Sequence, residues 1–278
     1  MSTDTPTSRR SFFTNLGRGT AAAVGVGIVV AACSSGNEGS TTSAPALTPT
    51  TGAKGLATTT STRAPQDATT TSTEVPPPVD EMAAVVWERA NLGFVSAYVL
   101  ARAGEAVIID TGVAGSEGSI GDSLAAISLG WDDVSHVILT HRHNDHQGSL
   151  PAVIRLAANA AAYAGAADVP AIDSPRSVTP VGDGDSVFGL KIIHTPGHTP
   201  GHIAVLDPVG GLLVAGDSMN GSNGGVIGAN PQFSPDMPAA NASVKKLAQL
   251  TFGTVLFGHG EPIEAGASTL VVALAATL

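Results

Sequence analysis

With one cysteine in 278 residues, the chain cannot form an internal disulfide. Aromatic side chains are scarce at 4% and charged ones at 13%, which is not the composition of a coiled coil or a long solvated helix. Lys and Arg number 13 against 23 Asp and Glu, a net charge of −10. That sign is wrong for neutralising a phosphate backbone or an anionic membrane surface. No apolar run approaches the ~20 residues of a spanning helix. The 33 glycines follow no three-residue period, so a collagen is excluded. What the chain does have is 43% hydrophobic residues, enough for a globular core, and eight histidines, all between His136 and His259.

The first eighty residues read differently from the rest. Ser8-Arg9-Arg10-Ser11-Phe12-Phe13 precedes an apolar stretch from Ala21 to Ala32, and a basic flank before a short apolar run marks a signal peptide. The pattern resembles a twin-arginine export signal. Val30-Ala31-Ala32-Cys33 resembles a bacterial lipobox, in which the cysteine is lipidated and becomes the first mature residue; a signal cut near Ala32 with Cys33 incidental is the alternative. Residues 34–79 hold 13 Thr, 6 Ser and 6 Pro and too few large apolar side chains to offset ordering entropy. They read as a linker, roughly 40 Å in mean span. These features imply residues 1–33 as signal, 34–79 as tether and 80–278 as one folded domain, held at the cell envelope through Cys33. The domain carries 8 Lys and Arg against 19 Asp and Glu, net −11, so nucleic acid is not an expected partner.

Within the domain, residues 83–89, 94–101 and 106–109 are short strand-like runs, and the third ends in the turn residues Asp110-Thr111-Gly112. Three strands in succession suggest a meander. Helical spacing is expected over 117–129, 150–157, 236–250 and 265–276, with Asp236 as an N-cap. Further strands are expected at 134–139, 160–164, 187–193, 203–206, 212–215 and 255–257. The mixture points to a layered α/β architecture. The Gly, Asn and Pro-rich stretch 218–238 reads as a flap, in which Met219, Ile227, Phe233 and Met237 either line an apolar pocket or pack the loop down.

Directly after the apolar strand ending at Leu139 comes Thr140-His141-Arg142-His143-Asn144-Asp145-His146. An extended segment would splay these side chains, whereas a turn entering a helix can converge them. Imidazole and carboxylate are the ligands that zinc and similar ions take. Arg142 and Asn144, between the ligand types, are expected to point away. His136, His194 and His202 fall outside the cluster and read as hydrogen-bonded structural residues, with His202 the most apt of them to face the site. Tyr98 and Tyr163 are the only tyrosines, and either could serve as an oxyanion donor.

This His-x-His-x-Asp-His run, the downstream Thr195-Pro196-Gly197-His198, Ala215-Gly216-Asp217, Gly258-His259-Gly260 and the Asp110 turn resemble, in order, the metallo-β-lactamase superfamily. The resemblance implies an αβ/βα sandwich, two facing mixed β-sheets with helices outside. It implies two divalent ions, Zn2+ first and Fe or Mn as alternatives. His141, His143 and His198 would hold one, Asp145, His146 and His259 the other, and Asp217 would bridge them. Asp110 would brace the ligands from behind, and Asp145 would also relay a proton.

By the same resemblance, the expected activity is hydrolysis of a small-molecule ester, lactone or thioester by a water shared between the metals. His143 stands where flavodiiron relatives carry Glu, which argues against a redox centre. Asp217 stands where true β-lactamases carry Cys or Ser. Only 19 residues follow His259, where glyoxalase II relatives carry a helical platform for glutathione. A mono-iron sulfur dioxygenase, a metallo-β-lactamase and a non-catalytic metal-binding lipoprotein are the other readings.

Overall fold

The computed structural model describes residues 83–278. The signal, lipobox and linker expectations, Cys33 among them, lie outside the described residues, as do the first three residues of the expected domain. One six-stranded sheet runs in order β1 (Val86–Asn91), β2 (Ser96–Arg102), β3 (Glu105–Ile109), β4 (Val134–Leu139), β5 (Ala161–Gly165), β6 (Val178–Val181). Its first three strands form the expected antiparallel meander, and β3 to β6 are parallel. The second sheet is ordered β13 (Thr254–Phe257), β10 (Leu212–Gly216), β9 (Ile203–Asp207), β8 (Leu190–His194), β7 (Ser186–Val187). The helices are α1 (Glu117–Ala126), α2 (Asn144–Gln147), α3 (Leu150–Leu156), α4 (Met237–Leu247) and α5 (Ala267–Ala275).

Side-chain alternation along the strands builds three apolar layers. In β2 and β3, Ala97, Val99, Ala106 and Ile108 face α1 and α3, while Tyr98, Leu100, Val107 and Ile109 face the other sheet. In β9 and β10, Ile203, Val205, Leu212 and Val214 join that inter-sheet layer, and Ala204, Leu206, Leu213 and Ala215 pack toward α4 and α5. Strands buried on both faces need uninterrupted apolar sequence, which is why β10 stands out in the primary structure, while β4 is apolar except at the half-buried Ser135 and His136. The architecture is the expected αβ/βα sandwich.

Parallel pairing delivers the functional loops to one edge. Ile109 pairs with Ile138 and Gly216 with Phe257, so the residues after β3, β4, β10 and β13 all emerge together. Two backbone hydrogen bonds join the sheets there, Ile203 N to Thr140 O at 2.9 Å and Ser96 N to Gly258 O at 2.9 Å.

Several boundaries differ from expectation. The run 187–193 is the hairpin β7–β8, turned at Phe188 and Gly189, both at positive φ. Strand β6, Val178–Val181, carries a proline and little apolar sequence and was not foreseen. The stretch 218–238 contains an antiparallel hairpin, β11 (Met219–Ser222) with β12 (Gly225–Gly228), where only loop was expected. Asp236 does cap α4, accepting from Ala239 N at 3.0 Å.

Candidate metal centre

The loop after β4 turns into α2 immediately. The backbone carbonyl of His143 accepts from His146 N at 2.9 Å and Gln147 N at 3.0 Å, a single helical turn that brings Asp145 and His146 back toward His141 and His143. Three ring nitrogens then converge: His141 Nε2 lies 3.1 Å from His143 Nδ1, which lies 2.9 Å from His198 Nε2, itself 3.2 Å from His141 Nε2. Asp217, at the end of β10, reaches toward the remaining ligands. Its Oδ2 is 3.4 Å from His198 Nε2 and 3.1 Å from His259 Nε2, and its Oδ1 is 3.4 Å from His146 Nε2. Asp145 Oδ2 lies 3.4 Å from His259 Nε2 and 3.8 Å from His146 Nε2. All seven expected ligand residues thus meet at one place.

The outer faces of the rings are committed. Asp110, in the left-handed region at φ 60, presents Oδ2 to His146 Nδ1 at 2.8 Å and to the Thr140 hydroxyl at 2.7 Å. That hydroxyl donates to the carboxylate and therefore accepts from His141 Nδ1 at 3.0 Å. His259 Nδ1 donates to Phe94 O at 2.6 Å, and His198 Nδ1 meets Ser234 Oγ at 3.0 Å. Fixing Nδ1 leaves Nε2 of four histidines turned inward, the orientation that metal-binding imidazoles require.

The inward atoms fit a cation and not each other. One proton serves only one pair of nitrogens, so three imidazole nitrogens about 3 Å apart cannot all be satisfied among themselves. His146 Nε2 and Asp217 Oδ1 are buried with no hydrogen-bond partner, an expensive state for polar atoms. Burial and neighbouring His146 press His141 well below the usual histidine pKa, and burial brings His198 down to about 4, keeping both as neutral lone-pair donors. His259 is pushed up to about 10 by its hydrogen bonds to Asp145 and Asp217. Burial works against charge on His146, yet Asp217 and Asp110 hold it well above its ordinary value. The carboxylates therefore draw positive charge into the site.

The floor of the site admits no side chain. A Cβ on Gly258 would run into Asp217 Oδ1 and lie 2.6 Å from His146 Cε1.

Other expectations divide. His202 is fully buried and accepts from the Asp217 backbone N–H at 3.0 Å, so it supports the site without entering it. His136 stacks on Tyr163 with centroids 5.7 Å apart, and His194 bonds Pro200 O at 3.0 Å; both are structural. Arg142 points away, its guanidinium 3.9 Å from Asp168, but Asn144 lines the cavity because it opens α2 instead of continuing an extended alternation. Tyr98 is core, donating to Phe257 O at 2.8 Å, and neither tyrosine lines the cavity. Met219 is buried against α4 and α5 and Met237 opens α4, whereas Ile227 and Phe233 do face the cavity.

Sequence reasoning missed Asp168. Fully buried, it accepts from Thr199 Oγ1 at 2.5 Å, Gly201 N at 2.9 Å and Arg142 N at 3.2 Å, tying the two histidine loops together. No local motif announces it, since its partners lie 26 or more residues away.

An α/β sandwich with a histidine and carboxylate cluster at the strand-end edge is the architecture of a metal-binding hydrolase fold. The sequence model of the Metallo-beta-lactamase superfamily matches residues 90–259, and the chain belongs to that superfamily, whose members bind divalent metals and are generally hydrolases. YobT of Bacillus subtilis is 26% identical over 197 residues, 60% of this chain and 83% of that protein. The hydroxyacylglutathione hydrolase of Aeromonas salmonicida is 32% identical over 148 residues, 51% of this chain. The chain spans about half the length of the Aeromonas hydrolases it matches, 53% and 50%. Among solved structures, a metallo-beta-lactamase family protein of Thermus thermophilus superposes with a TM-score of 0.57 at 22% identity, over 70% of this chain and 79% of that one. TTHA1623, solved in a di-iron-bound form, gives 0.52 at 28% identity, over 63% and 92%.

Proposed function

We propose that this chain is a hydrolase of small-molecule esters, lactones or thioesters that works with two divalent ions, zinc first and iron or manganese as the competing loads. The observation that carries the reading is the pair of buried, unpartnered atoms His146 Nε2 and Asp217 Oδ1 beside three converging imidazole nitrogens. His141, His143 and His198 would hold one ion, Asp145, His146 and His259 the other, and Asp217 lies within reach of both groups. Ions held there lower the pKa of a bound water from 15.7 to about 7 and polarise a carbonyl oxygen.

The chain's own residues do the rest. Asp110 and Thr140 keep the rings of His146 and His141 turned inward. His202 and Gly258 set the position of Asp217 from its backbone and from beneath. Asp145, half-buried and lining the cavity, accepts a proton from the attacking water and returns it to the leaving oxygen or sulfur. The name of the hydroxyacylglutathione hydrolases supports thioesters as one substrate class. Solved relatives named as β-lactamases are under 25% identical and support the fold alone.

Elemental analysis of the purified protein beside a His141→Ala variant tests the reading. About two zinc per chain, reduced in the variant, together with turnover of an ester, lactone or thioester, is the expected result. One iron per chain with oxygen consumption moves the assignment to a sulfur dioxygenase. Metal without turnover leaves a binding protein, and no stoichiometric metal overturns the site.

The partner is a small carbonyl compound; the domain's net charge of −11 (8 Lys and Arg against 19 Asp and Glu in 80–278) speaks against nucleic acid. The site of action is the cell envelope, with a lipid on Cys33 as the sole membrane attachment. Cys33→Ala should move the protein from the membrane fraction to the soluble one; an unchanged distribution would remove the anchor.

A further inference from the structure

The metal-competent residues open into a cavity of about 990 Å³ lined by Phe94, Ile227, Pro231 and Phe233 together with the neutral amides of Asn144, Asn220 and Asn230. Phe94, from the turn between β1 and β2, stacks on His259 with centroids 6.1 Å apart and an interplanar angle of 12°. Ile227, on β12, and Phe233, in the loop before α4, line the same cavity. Phe94 and Phe233 are 63% and 58% exposed, and they are the only exposed aromatic residues among those described. Exposed large apolar groups gathered at one rim mark a binding surface.

The cavity has a second property. Its ionisable lining groups are Asp145, Asp217, His143, His198 and His259, and no Lys or Arg is among them. The nearby arginines are spent elsewhere. Arg89 bonds Ser96 Oγ at 2.9 Å, Gly260 O at 3.2 Å and Glu261 at 2.6 Å, and Arg142 is directed to Asp168. A carboxylate carried on the far part of a substrate would leave water for an aromatic wall with no Lys or Arg to meet it, a costly exchange. A domain of net charge −11 (8 against 19) opposes its approach as well.

We infer that the cavity selects an uncharged substrate with an apolar acyl chain, seated against Phe94, Ile227 and Phe233. The inference rests on the hydrolase reading for its chemistry and on the cavity wall for its selectivity. Water adds across the acyl bond: the carbonyl carbon keeps the hydroxyl, and the leaving oxygen or sulfur takes the proton.

The test uses the full-length metal-loaded protein and two readouts. Against p-nitrophenyl acetate, butyrate, hexanoate and octanoate, kcat/KM should rise about 3- to 4-fold per methylene. The mono-succinyl ester, which carries a terminal carboxylate, should fall about 10-fold or more below the butyryl ester. Phe233→Ala and Phe94→Ala should flatten the chain-length dependence, and in Phe233→Ala, at an exposed position with no contact to a ligand, metal content should stay unchanged.

Binding of 2-nonanone, a ketone that cannot be hydrolysed, is measured by calorimetry beside 8-oxononanoate, the same ketone with a distal carboxylate. The neutral ketone should bind about 10-fold more tightly and weaken in both variants. Ester cleavage with no dependence on chain length, or with the succinyl ester preferred, overturns the inference and leaves the hydrolase reading intact. Selective ketone binding without cleavage of any ester supports the inference and removes the hydrolase reading. Failure of both the ketone binding and the chain-length trend overturns it outright.

Discussion

Asp110 Oδ2 lies 2.8 Å from His146 Nδ1 while accepting from the Thr140 hydroxyl at 2.7 Å, and Oδ1 takes the Thr140 backbone N–H at 2.7 Å. One carboxylate, at the end of one strand, thus orients two imidazoles at the end of its neighbour. Replacing it with Asn keeps the shape but loses the charge and presents an amide N–H to one of its donors. Asp110→Asn should weaken metal affinity about 10- to 100-fold, read by competition with a chromogenic chelator. An affinity equal to wild type would separate Asp110 from the site.

Gly258 leaves no room for a methyl group against Asp217 and His146. Gly258→Ala should displace one of them, so metal content at the pair His146 and His259 should fall while the far-ultraviolet circular dichroism stays native. Gly253, with open space around its Cα, is the matched control, and Gly253→Ala should retain both.

Asp168 is a buried carboxylate with three donors from two loops. Asp168→Ala leaves those donors without a partner and should lower stability by about 2–4 kcal/mol, measured by urea denaturation. Asp168→Asn should recover part of that loss. Metal affinity should decline with it, because the strands of the site edge meet through these loops.

Burial pushes the Tyr98 hydroxyl up to about 12, against 10 for the free side chain. A raised folded-state pKa means that the folded chain holds this proton when the unfolded chain has lost it. The stabilisation is therefore fully present below pH 10 and is lost as pH rises toward 12. Over that interval, it amounts to about 2–3 kcal/mol. Tyr98→Phe should flatten the alkaline limb of a stability–pH profile at the expense of the hydrogen bond to Phe257 O.

The central strands were legible because the fold needs them mostly apolar: β3, β4 and β10 appear in the primary structure within a residue or two of their limits, Glu105, Ser135 and His136 being their only polar residues. Segments with weak local signals were not. Strand β6 is held mainly by pairing with β5, and five of the eight paired residues of the β11–β12 hairpin are Gly, Asn or Ser, a composition that says loop. The crowding of His141, His143, Asp145 and His146 was legible in residue type and in the strand-to-helix turn, whereas the addition of His198 to that group rested on the resemblance to the metallo-β-lactamase superfamily. Asn144 was misjudged for the same reason: alternation holds for a strand, and it stands at the start of a helix.

By itself the sequence determined a layered α/β domain and the metal-competent cluster His141–His146, because burial periodicity and ligand chemistry are local properties of the chain, and its ordered motifs carried the resemblance that added the site edge with His198, Asp217 and His259. Only the tertiary structure decided what lies behind and above those residues. Asp168 and Ser234 hold their partners across 31 and 36 residues, and Phe94 meets His259 across 165. Such contacts are set by which strands pair and how the sheets face, and no short window of sequence carries that information.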